Sequence, residues 1–454
     1  MSIRNQKILI ITLIAISIVP IFAYTSFPNE EIGDTTKDWF LYFSAITGYI
    51  GTVFILWDYI LGTRSVSALI SKDTSWNLKA HKYLGIYGML FVFAHPILAA
   101  LKFNEALIPY LLRIRFGDAI RLAQTYGRIS FYPIVLVWIT SAVFRNKISY
   151  RTWKYIHYSS YITLPLAFLH ATKVGTQIMS SDELLYYWYF LSLVYIVFFA
   201  LRLRHVFSIS KIPHELVNKK SAGDNIWLYR FKSLTVPINV RPGQYVYVQP
   251  KLRSEEHPFT VLDYNVEKGE IVFGIKTFGK FTKKLQGLEI GDRVFLDGPY
   301  GVYTQKLLED VIKPTVLIAG GVGITPFMKH IINGSNSSKL FLFYCNRTSN
   351  ANVFEQLGAK ILGKRFVSVI SRESHANSGW SDEQRIDTSS NLHDENLSTQ
   401  VEYGYFNDAI FRKHISNPAE CEYFICGGEG LIKTAQEVLL KNGVNKTQIH
   451  VEGF

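Results

Sequence analysis

Residues 81–95 read "HKYLGIYGMLFVFAH", an apolar run that begins and ends with histidine. An ionisable residue within a membrane segment is costly and as a rule marks a functional site. At 1.5 Å rise per residue the two histidines lie about 21 Å apart along a helix, near opposite faces of a bilayer. Fourteen steps of 100° return the second histidine to within about 40° of the first, so both share one helix face. Gly85 and Gly88 lie on the same stripe, where they are expected to leave room for a flat ligand.

A second pair of histidines, His157 and His170, lies in another apolar segment. Two helices that each carry two histidines predict two stacked haems, each held by one imidazole from each helix. The expected axial pairs are His81 with His157 on the cytoplasmic side and His95 with His170 on the outer side. Two other interpretations stay open. The histidines hydrogen-bond between helices while the glycines serve close packing, or they line a metal channel or a proton relay.

The spacing of the second pair differs from that of the first. Thirteen steps on an ideal helix turn the second imidazole about 140° away from the first. Pro165 lies between the two histidines and cannot donate to the carbonyl of Tyr161, so a kink that changes the helical phase is expected there. A straight fifth helix with its imidazoles on opposite sides would break the predicted pairs.

The whole chain has the composition of a membrane protein. It has 454 residues, of which 48% are hydrophobic, and a mean hydropathy of +0.12. The formal charge of +12 does not indicate nucleic-acid binding, because many basic residues flank apolar runs. Cys345, Cys421 and Cys426 are unevenly spaced and give neither a disulfide framework nor a zinc or iron–sulfur ligand set.

Six apolar segments are expected to span the membrane, at residues 8–24, 39–61, 80–101, 129–144, 155–171 and 184–201. Each is near the length of about 20 residues that crosses about 30 Å of hydrocarbon. Basic residues flank alternate ends, which places the region after residue 206 in the cytoplasm by the positive-inside rule. The first segment is expected to be a retained anchor rather than a cleaved signal peptide. The basic stretch 102–128 is an exception to the rule; it suits contact with lipid headgroups, and it equally suits attraction of an anionic ferric chelate.

The sequence pattern changes twice after the last apolar segment. From 206 to 312, short β-branched and aromatic runs broken by Gly and Pro predict an antiparallel β-barrel. From 313 to 454, apolar strands alternate with helical stretches, as in a parallel α/β domain. Residues 373–400 are polar and are expected to form an insertion. The predicted architecture is therefore multi-domain: an α-helical six-span transmembrane bundle over 1–205, then a barrel domain and an α/β domain.

The two histidine segments, "HKYLGIYGMLFVFAHP" and "TWKYIHYSSYITLPLAFLHA", resemble the haem helices of the ferric reductase and NADPH oxidase superfamily of transmembrane flavocytochromes b. The resemblance extends over nearly the whole chain. It implies two b-type haems ligated by His81, His95, His157 and His170, together with a reductase module that binds FAD in the barrel and NADPH in the α/β domain.

Three motifs in the predicted barrel resemble the flavin-binding segments of ferredoxin-reductase-type proteins. They are "RPGQYVYV" (241–248), "HPFTV" (257–261) and "IKTFGKFT" (275–282). The resemblance implies that the first two hold FAD through Arg241, Pro242, Gly243, Gln244, His257, Pro258, Phe259 and Thr260. In the third motif Lys276 offers positive charge, Gly279 allows close backbone approach and Thr282 offers a hydroxyl to the FAD pyrophosphate. Each motif alone also suits an ordinary turn.

A glycine-rich turn, "LIAGGVGITP" (317–326), predicts a dinucleotide-binding loop and resembles the nicotinamide-domain loop of the same reductase family. It follows a strand and opens a helix, so its glycines are expected to bring dinucleotide phosphates against backbone N–H groups. The residues assigned to this loop are Gly320, Gly321, Gly323, Thr325 and Pro326. The segment "CGGEG" (426–430) resembles the one that places a cysteine near the nicotinamide, which implies a catalytic role for Cys426. The alternative for this cysteine is a buried small apolar residue at a strand end.

Two further features bear on the nicotinamide. The segment "VISRES" (369–374) resembles the place where such reductases bind the 2′-phosphate of NADPH. Ser371 and Arg372 offer a hydroxyl and a guanidinium there, with Arg347 as a further candidate, which favours NADPH over NADH. The final residue, Phe454, resembles the family's flavin-stacking aromatic and is expected to cover the isoalloxazine until nicotinamide displaces it. A frayed chain end is the alternative.

The predicted function is that of an NAD(P)H-dependent ferric reductase or NADPH oxidase in the cell membrane. Electrons are expected to pass from cytosolic NADPH through FAD and two haems to an external small molecule, either a ferric chelate or dioxygen. The flavin and nicotinamide domains are expected in the cytoplasm, with the lipid bilayer as a partner and no nucleic acid. Two competing predictions are a non-enzymatic metal or proton transporter and an electron donor to a protein outside the cytoplasm.

Overall fold

The computed structural model describes residues 3–25, 35–223, 225–307, 313–333, 339–352, 354–373 and 400–453. The chain divides into two compact units, Met1–Val206 and Phe207–Phe454. The first unit is helical, whereas the second contains a β-barrel and an α/β sheet. The residues of the predicted insertion, apart from Glu373 and Gln400, lie outside the described ranges, as does Phe454.

The helices of the first unit follow the predicted apolar segments. They are α1 (Ile3–Tyr24), α2 (Thr35–Gly62), α3 (Arg64–Ile70), α4 (Thr74–Lys102), α5 (Leu107–Leu112), α6 (Ala119–Ala142), α7 (Tyr150–Tyr158), α8 (Thr163–Val174) and α9 (Asp182–Val206). Among the described residues, four helices are long and apolar enough to cross a membrane: Arg4–Tyr24, Thr36–Gly62, Thr74–Lys102 and Asp182–Val206. The helix count thus agrees roughly with the six predicted spans.

The fifth apolar segment is not a straight helix. A 3-10 turn over Ser159–Ile162 separates α7 from α8, and Pro165 lies in the first turn of α8. The carbonyl of Tyr161, which proline deprives of its helical donor, accepts instead from the hydroxyl of Tyr195 at 2.8 Å. The predicted change of helical phase between the two histidines is therefore present, as a 3-10 turn just ahead of the proline rather than a bend at it.

The helix of the fourth apolar segment, α6, begins earlier than the predicted run 129–144 suggests. The side chain of Asp118 accepts from the backbone N–H of Arg121 at 2.8 Å and so caps α6, whose first residue is Ala119. Arg121 and Arg128 consequently lie within this helix rather than in a loop. Arg128 is buried, and its Nη1 donates to the carbonyl of Arg113 at 2.7 Å. A charged side chain is tolerated in this helix because the adjoining loop supplies an acceptor.

The barrel of the second unit is closed and antiparallel, as predicted. Its strands are β1 (Ile212–Gly223), β2 (Ile226–Ser233), β3 (Tyr245–Gln249), β4 (His257–Asn265), β5 (Glu270–Lys276) and β6 (Arg293–Tyr300). They pair in the order β1-β2-β5-β4-β3-β6. Residues along β5 alternate between buried and half-buried, as in a strand that packs one face on a core. The short helix α10 (Lys280–Gln286) follows β5 and buries Phe281 and Leu285.

The α/β part carries a parallel sheet, which confirms the predicted fold class. Its strands are β7 (Thr315–Gly320), β8 (Leu340–Asn346), β9 (Phe366–Ile370), β10 (Gln400–Tyr403), β11 (Glu422–Gly427) and β12 (Ile449–Gly453), in the order β10-β9-β8-β7-β11-β12. The helices are α11 (Thr325–Asn333), α12 (Glu355–Leu362), α13 (Asp408–His414) and α14 (Glu429–Lys441). The strand order reverses between β7 and β11, and ligands of such sheets bind at the carboxyl ends of the strands at this point.

Candidate functional site

The four membrane histidines meet in the two predicted pairs. The ring centroids of His81 and His157 lie 6.1 Å apart, and those of His95 and His170 also lie 6.1 Å apart. The first residue of each pair comes from α4, and the second comes from α7 or α8. The 3-10 turn between α7 and α8 thus leaves both imidazoles of the fifth segment directed at α4, despite their spacing of thirteen residues.

The separation within each pair fits two axial ligands of one metal. A metal bound by two imidazole nitrogens at about 2.0 Å from each holds the two ring centroids about 6 Å apart. The planes of the paired rings cross at 67° and 81°, so neither pair is stacked.

Three of the four rings use their second nitrogen for a hydrogen bond to the backbone. Nδ1 lies 3.0 Å from the carbonyl of Asp58 in His81, 2.8 Å from that of Ser44 in His95, and 2.9 Å from that of Ala123 in His170. A carbonyl oxygen only accepts, so Nδ1 carries the proton and Nε2 keeps its lone pair. Metal-binding histidines commonly have this tautomer and this kind of support.

A glycine accompanies each of these hydrogen bonds. Gly48, Gly62 and Gly127 each lie four residues after the residue whose carbonyl accepts. A Cβ at these positions would lie 2.7, 3.1 and 2.5 Å, respectively, from Nδ1 of the facing histidine. In a helix the carbonyl of one residue points toward the residue four later, so glycine there opens the carbonyl to the imidazole.

Sequence reasoning missed these three glycines, although a signal was present in α2. Gly48 and Gly62 are fourteen residues apart, the same spacing as His81 and His95. A helix packed antiparallel to α4 needs glycines at that same spacing if it is to leave room for both imidazoles. The signal has meaning only once α2 and α4 are known to pack together.

His157 is the exception among the four histidines. Its Nδ1 is buried and has no hydrogen-bond partner among the residues that the structure describes. Its ring lies 4.8 Å from that of Trp153, one turn earlier on α7, at an angle of 32°. Packing against the indole, rather than a hydrogen bond, therefore orients this imidazole.

Gly85 and Gly88 do not open onto the space between the histidine helices, contrary to the sequence-based expectation. A Cβ on Gly88 would lie 3.1 Å from Cβ of Phe54, and one on Gly85 would lie 2.9 Å from Oδ2 of Asp58. Both glycines face α2, where they allow close helix packing. The face of α4 that carries these glycines and the two histidines is wide enough to contact both α2 and the fifth segment.

In the barrel, "RPGQ" forms a turn that is tied to the segment after β6. Gly243 has φ +74°, and a Cβ there would overlap Oγ1 of Thr304. That hydroxyl donates to the carbonyl of Pro242 at 2.8 Å. The buried side chain of Gln244 accepts from the backbone N–H of Arg241 at 2.9 Å and donates to the carbonyl of Gly301 at 3.2 Å. Gln244 is therefore occupied in holding the turn, while Arg241 remains exposed.

The second flavin motif pairs directly with the first. His257, Pro258, Phe259 and Thr260 begin β4 and lie opposite Val248, Tyr247, Val246 and Tyr245 of β3. The ring of His257 lies 4.0 Å from that of Phe281 in α10. The structure thus brings both motifs to one part of the barrel wall, beside the start of α10.

The third flavin motif leads from β5 into α10. Lys276 ends β5 and is half-buried. The hydroxyl of Thr282 accepts from the backbone N–H groups of Phe278 at 2.9 Å and Gly279 at 3.0 Å. A Cβ on Gly279 would meet no atom within 4 Å, so this turn is open on the side of that glycine. The hydroxyl that sequence reasoning assigned to a phosphate caps the turn in this structure.

The predicted nicotinamide-binding loop lies where the strand order of the sheet reverses. Gly320 ends β7 beside Gly427 at the end of β11, and the Cα atom of Gly427 lies 3.6 Å from where a Cβ on Gly320 would be. Gly321 has φ +56°, with open space around a would-be side chain. Gly323 packs against the carbonyl of Cys426, which would lie 2.3 Å from a Cβ there. Thr325 and Pro326, which follow the loop at the start of α11, are buried.

Cys426 lies in β11 with Glu452 opposite it in β12. The cysteine is 3% exposed, and burial, followed by the charge of Glu452, raises the pKa of its thiol. Burial also raises the pKa of Glu452 to about 7. The hydroxyl of Tyr303 donates to the carbonyl of Ile425 at 2.8 Å, next to this pair. Sequence reasoning missed both residues, because Glu452 reaches Cys426 through the register of β11 and β12, and Tyr303 reaches this place from the segment after β6.

The predicted 2′-phosphate residues meet at the ends of two adjacent strands. The backbone N–H of Arg372 donates to the carbonyl of Arg347 at 2.9 Å, and that of Ser371 donates to the carbonyl of Asn346 at 3.0 Å. Both arginine side chains are exposed, and Ser371 is half-buried. Two guanidinium groups and one hydroxyl are therefore available at one place on the sheet edge.

Comparison with known proteins agrees with this architecture. Residues 47–168 match the family model of a ferric reductase like transmembrane component, and residues 214–304 match an FAD-binding domain. The first match contains His81, His95 and His157 and ends two residues before His170. The resemblance stated from the sequence is confirmed: a ferric-reductase-like transmembrane component is joined to an FAD-binding domain.

Two curated relatives and one solved structure illustrate the similarity. The reductase component of propane 2-monooxygenase from Mycolicibacterium smegmatis is 27% identical over 224 residues, which cover 47% of this chain and 59% of that protein. Ferric reductase transmembrane component 5 of Saccharomyces cerevisiae is 27% identical over 250 residues, covering 49% of this chain and 35% of that protein. The cytochrome b5 reductase domain of Ulva prolifera nitrate reductase gives a TM-score of 0.43 at 19% identity, over 54% of this chain and 98% of that one. The chain thus spans less than two thirds of either curated relative.

Proposed function

We propose that this protein is a transmembrane oxidoreductase that transfers electrons from NADPH, by way of FAD and two b-type haems, to an acceptor on the opposite side of the membrane. The observation that carries the proposal is the pair of imidazole couples with centroids 6.1 Å apart. Three of the four histidines lie within the stretch that matches a ferric reductase like transmembrane component, and the same chain matches an FAD-binding domain. An electron path needs both parts, and a metal or proton transporter needs no flavin domain.

His81 with His157 would hold one haem, and His95 with His170 would hold the other. Haem iron bound between two imidazoles supplies a one-electron carrier whose potential depends on ligand hydrogen bonding. The carbonyls of Asp58, Ser44 and Ala123 hold three of the rings with Nε2 free. These hydrogen bonds to the backbone fix the orientation of the three rings.

The barrel turn at 241–244 and the strand 257–260 would hold the flavin, with Lys276 and Gly279 near its phosphates. FAD supplies the chemistry that links hydride transfer to single-electron transfer. The loop with Gly320, Gly321 and Gly323 would hold the nicotinamide nucleotide at the reversal of strand order. Cys426 would line the nicotinamide position as a neutral thiol, since burial raises its pKa. Phe454, in the role that the resemblance implies, would cover the flavin.

NADPH is the nucleotide that the exposed groups favour. The backbones of Arg347 and Arg372 are hydrogen-bonded to each other, so their two guanidinium groups start from adjacent positions, next to Ser371. Paired guanidinium groups recognise a phosphate by charge and by donor geometry. NADH lacks the 2′-phosphate and gains nothing from them.

We further propose that the second unit lies in the cytoplasm, which the distribution of basic residues supports by the positive-inside rule. Each turnover then moves negative charge outward across the membrane and is electrogenic. The external acceptor that we propose is a ferric chelate, because the yeast relative is named a ferric reductase transmembrane component. Steering of that chelate by the basic stretch has less support, since Arg113 pairs with Glu105 at 2.6 Å and Arg121 pairs with Asp118 at 3.2 Å.

The test uses the purified full chain in lipid vesicles. The expected result is a bis-imidazole haem spectrum that NADPH reduces under anaerobic conditions, with NADPH oxidation that depends on ferric citrate. A chain that binds FAD but no haem would contradict the electron path. A rate unaffected by ferric citrate and matched by superoxide formation would replace the ferric acceptor by dioxygen. Reduction only of an added periplasmic or extracellular protein would make that protein the acceptor.

A further inference from the structure

Asp58 lies one helical turn before the end of α2 and faces His81 of α4. Its backbone carbonyl accepts from Nδ1 of His81 at 3.0 Å, and its carboxylate Oδ1 lies 3.5 Å from the same nitrogen. Oδ1 is buried and makes no hydrogen bond within the residues that the structure describes. Two acceptor groups of one residue therefore converge on the ring nitrogen that points away from the expected iron.

At this level of α2 and α4, one side chain of each helix packs against a glycine of the other helix. His81 packs against Gly62 of α2, where a Cβ would lie 3.1 Å from Nδ1. Asp58 packs against Gly85 of α4, where a Cβ would lie 2.9 Å from Oδ2. Positions 58 and 62, like positions 81 and 85, are four residues apart, so each helix presents a side chain and, one turn later, a gap. This reciprocal packing keeps the carboxylate beside the imidazole.

The outer level has the same plan with a different group. Ser44, fourteen residues before Asp58, accepts from Nδ1 of His95 through its carbonyl at 2.8 Å. Its hydroxyl oxygen lies 3.2 Å from the same nitrogen and donates to the carbonyl of His95 at 3.0 Å. The two levels thus differ at matching positions: a carboxylate faces His81, and a hydroxyl faces His95.

We propose that Asp58 is a positioning residue that lowers the reduction potential of the haem held by His81 and His157 relative to the haem held by His95 and His170. The inference rests on the bis-haem function proposed above. A carboxylate beside Nδ1 makes the imidazole a stronger electron donor and stabilises the more positive ferric iron. A lower potential at this level favours one-electron transfer outward, with the iron near His81 oxidised as the iron near His95 is reduced.

The test compares Asp58→Asn with the wild type in the full-length, haem-loaded protein. Asn keeps the shape of the side chain and the backbone carbonyl while replacing the carboxyl group by a neutral amide. The measurement is a redox titration that follows the haem absorption bands and resolves two midpoints. At a fixed ambient potential, the reduced-to-oxidised ratio of one haem is expected to rise about tenfold, while the other haem is unchanged.

The matched control is Asp38→Asn, the same change on the same helix. Asp38 pairs with Lys102 at 2.6 Å and lies 20 residues from Asp58, about 30 Å along the helix axis. Neither midpoint is expected to move in this variant. A second test variant, Asp58→Ser, copies the group found at the outer level and is expected to bring the two midpoints closer together.

Three outcomes decide the proposal. A rise of one midpoint in Asp58→Asn, with the other midpoint unchanged, supports the proposal. A fall of that midpoint, or loss of one haem in both Asp58 variants, overturns it, because the side chain would then serve retention of the haem rather than its potential. Two haems with unchanged midpoints in both Asp58 variants, or equal movement of both midpoints, overturns it. Failure of the proposed function looks different, because the wild-type protein itself would then lack two bis-imidazole haems.

Discussion

Gly127 lies so close to the ring of His170 that a Cβ atom at position 127 would be 2.5 Å from Nδ1. That separation is shorter than any normal carbon–nitrogen contact, so a side chain there displaces the imidazole. The same carbonyl contact that holds the ring, from Ala123 at 2.9 Å, would be lost.

Gly127→Ala is therefore expected to remove one haem. The methyl group pushes His170 away from the Ala123 carbonyl and away from His95, at an overpacking cost of about 1–3 kcal/mol. The measurement is haem per chain by the pyridine haemochrome assay, with about one haem expected in place of two. Gly430→Ala is the control, because a Cβ at that helical position meets no atom within 4 Å. Full haem content in Gly127→Ala would mean that the ring position is not needed for ligation.

Gly243→Ala is expected to release FAD. The residue has φ +74°, and a Cβ there would overlap the Thr304 side chain that holds the carbonyl of Pro242. The turn carrying Arg241 and Gln244 must then open, which is expected to weaken FAD binding at least about tenfold. Flavin fluorescence after gel filtration measures the loss.

Gly269→Ala separates backbone strain from this contact. Gly269 has a similar φ of +65°, but the nearest atom to a Cβ there would be 3.5 Å away. This variant should lose about 1 kcal/mol of stability through its left-handed backbone and yet keep its flavin. Equal flavin loss in both variants would attribute the effect to strain alone.

Arg372→Ala is expected to raise the KM for NADPH about ten- to a hundredfold and to leave the KM for NADH unchanged. Removal of one guanidinium deletes a charge-assisted hydrogen bond to the 2′-phosphate, which is worth about 1.5–3 kcal/mol. Steady-state assays with both nucleotides and a soluble flavin acceptor measure the ratio. Arg412→Ala serves as the control, since Arg412 is exposed and pairs with Asp408 at 3.1 Å. Parallel changes with both nucleotides would assign Arg372 to another part of the site.

Glu452 is expected to make the second unit less stable as the pH rises. Burial raises the pKa of its carboxyl to about 7 from 4.5, so the folded state holds a proton that the unfolded state releases. The contribution of Glu452 to the free energy of unfolding is fully present below about pH 4.5 and is lost as the pH rises through about 7, with a total change of about 3 kcal/mol. Glu452→Gln should flatten this slope in thermal unfolding followed by flavin release. Glu429→Gln, at an exposed position in α14, should not change it.

The pairing of His81 and His95 with the second pair was predictable from sequence because a regular helix fixes the relative direction of residues fourteen positions apart. In the fifth segment, Pro165 indicated that the helix would be irregular. The barrel and the sheet were predictable from alternating and continuous apolar runs. The beginning of α6 was not, since it depends on a single cap by Asp118 rather than on hydropathy. The glycines that receive the imidazoles were missed because their role exists only between two helices, and a sequence read one segment at a time does not show which helices are neighbours.

The 3-10 turn at Ser159–Ile162 has one further consequence. The hydroxyls of Tyr59 and Tyr195 donate to the carbonyls of Ser160 and Tyr161 within it, so the interruption is anchored from both α2 and α9. His157 lies in α7 and His170 lies in α8, on either side of this interruption. A small tilt of α7 is therefore expected to change the geometry of the His81–His157 couple more than that of the His95–His170 couple.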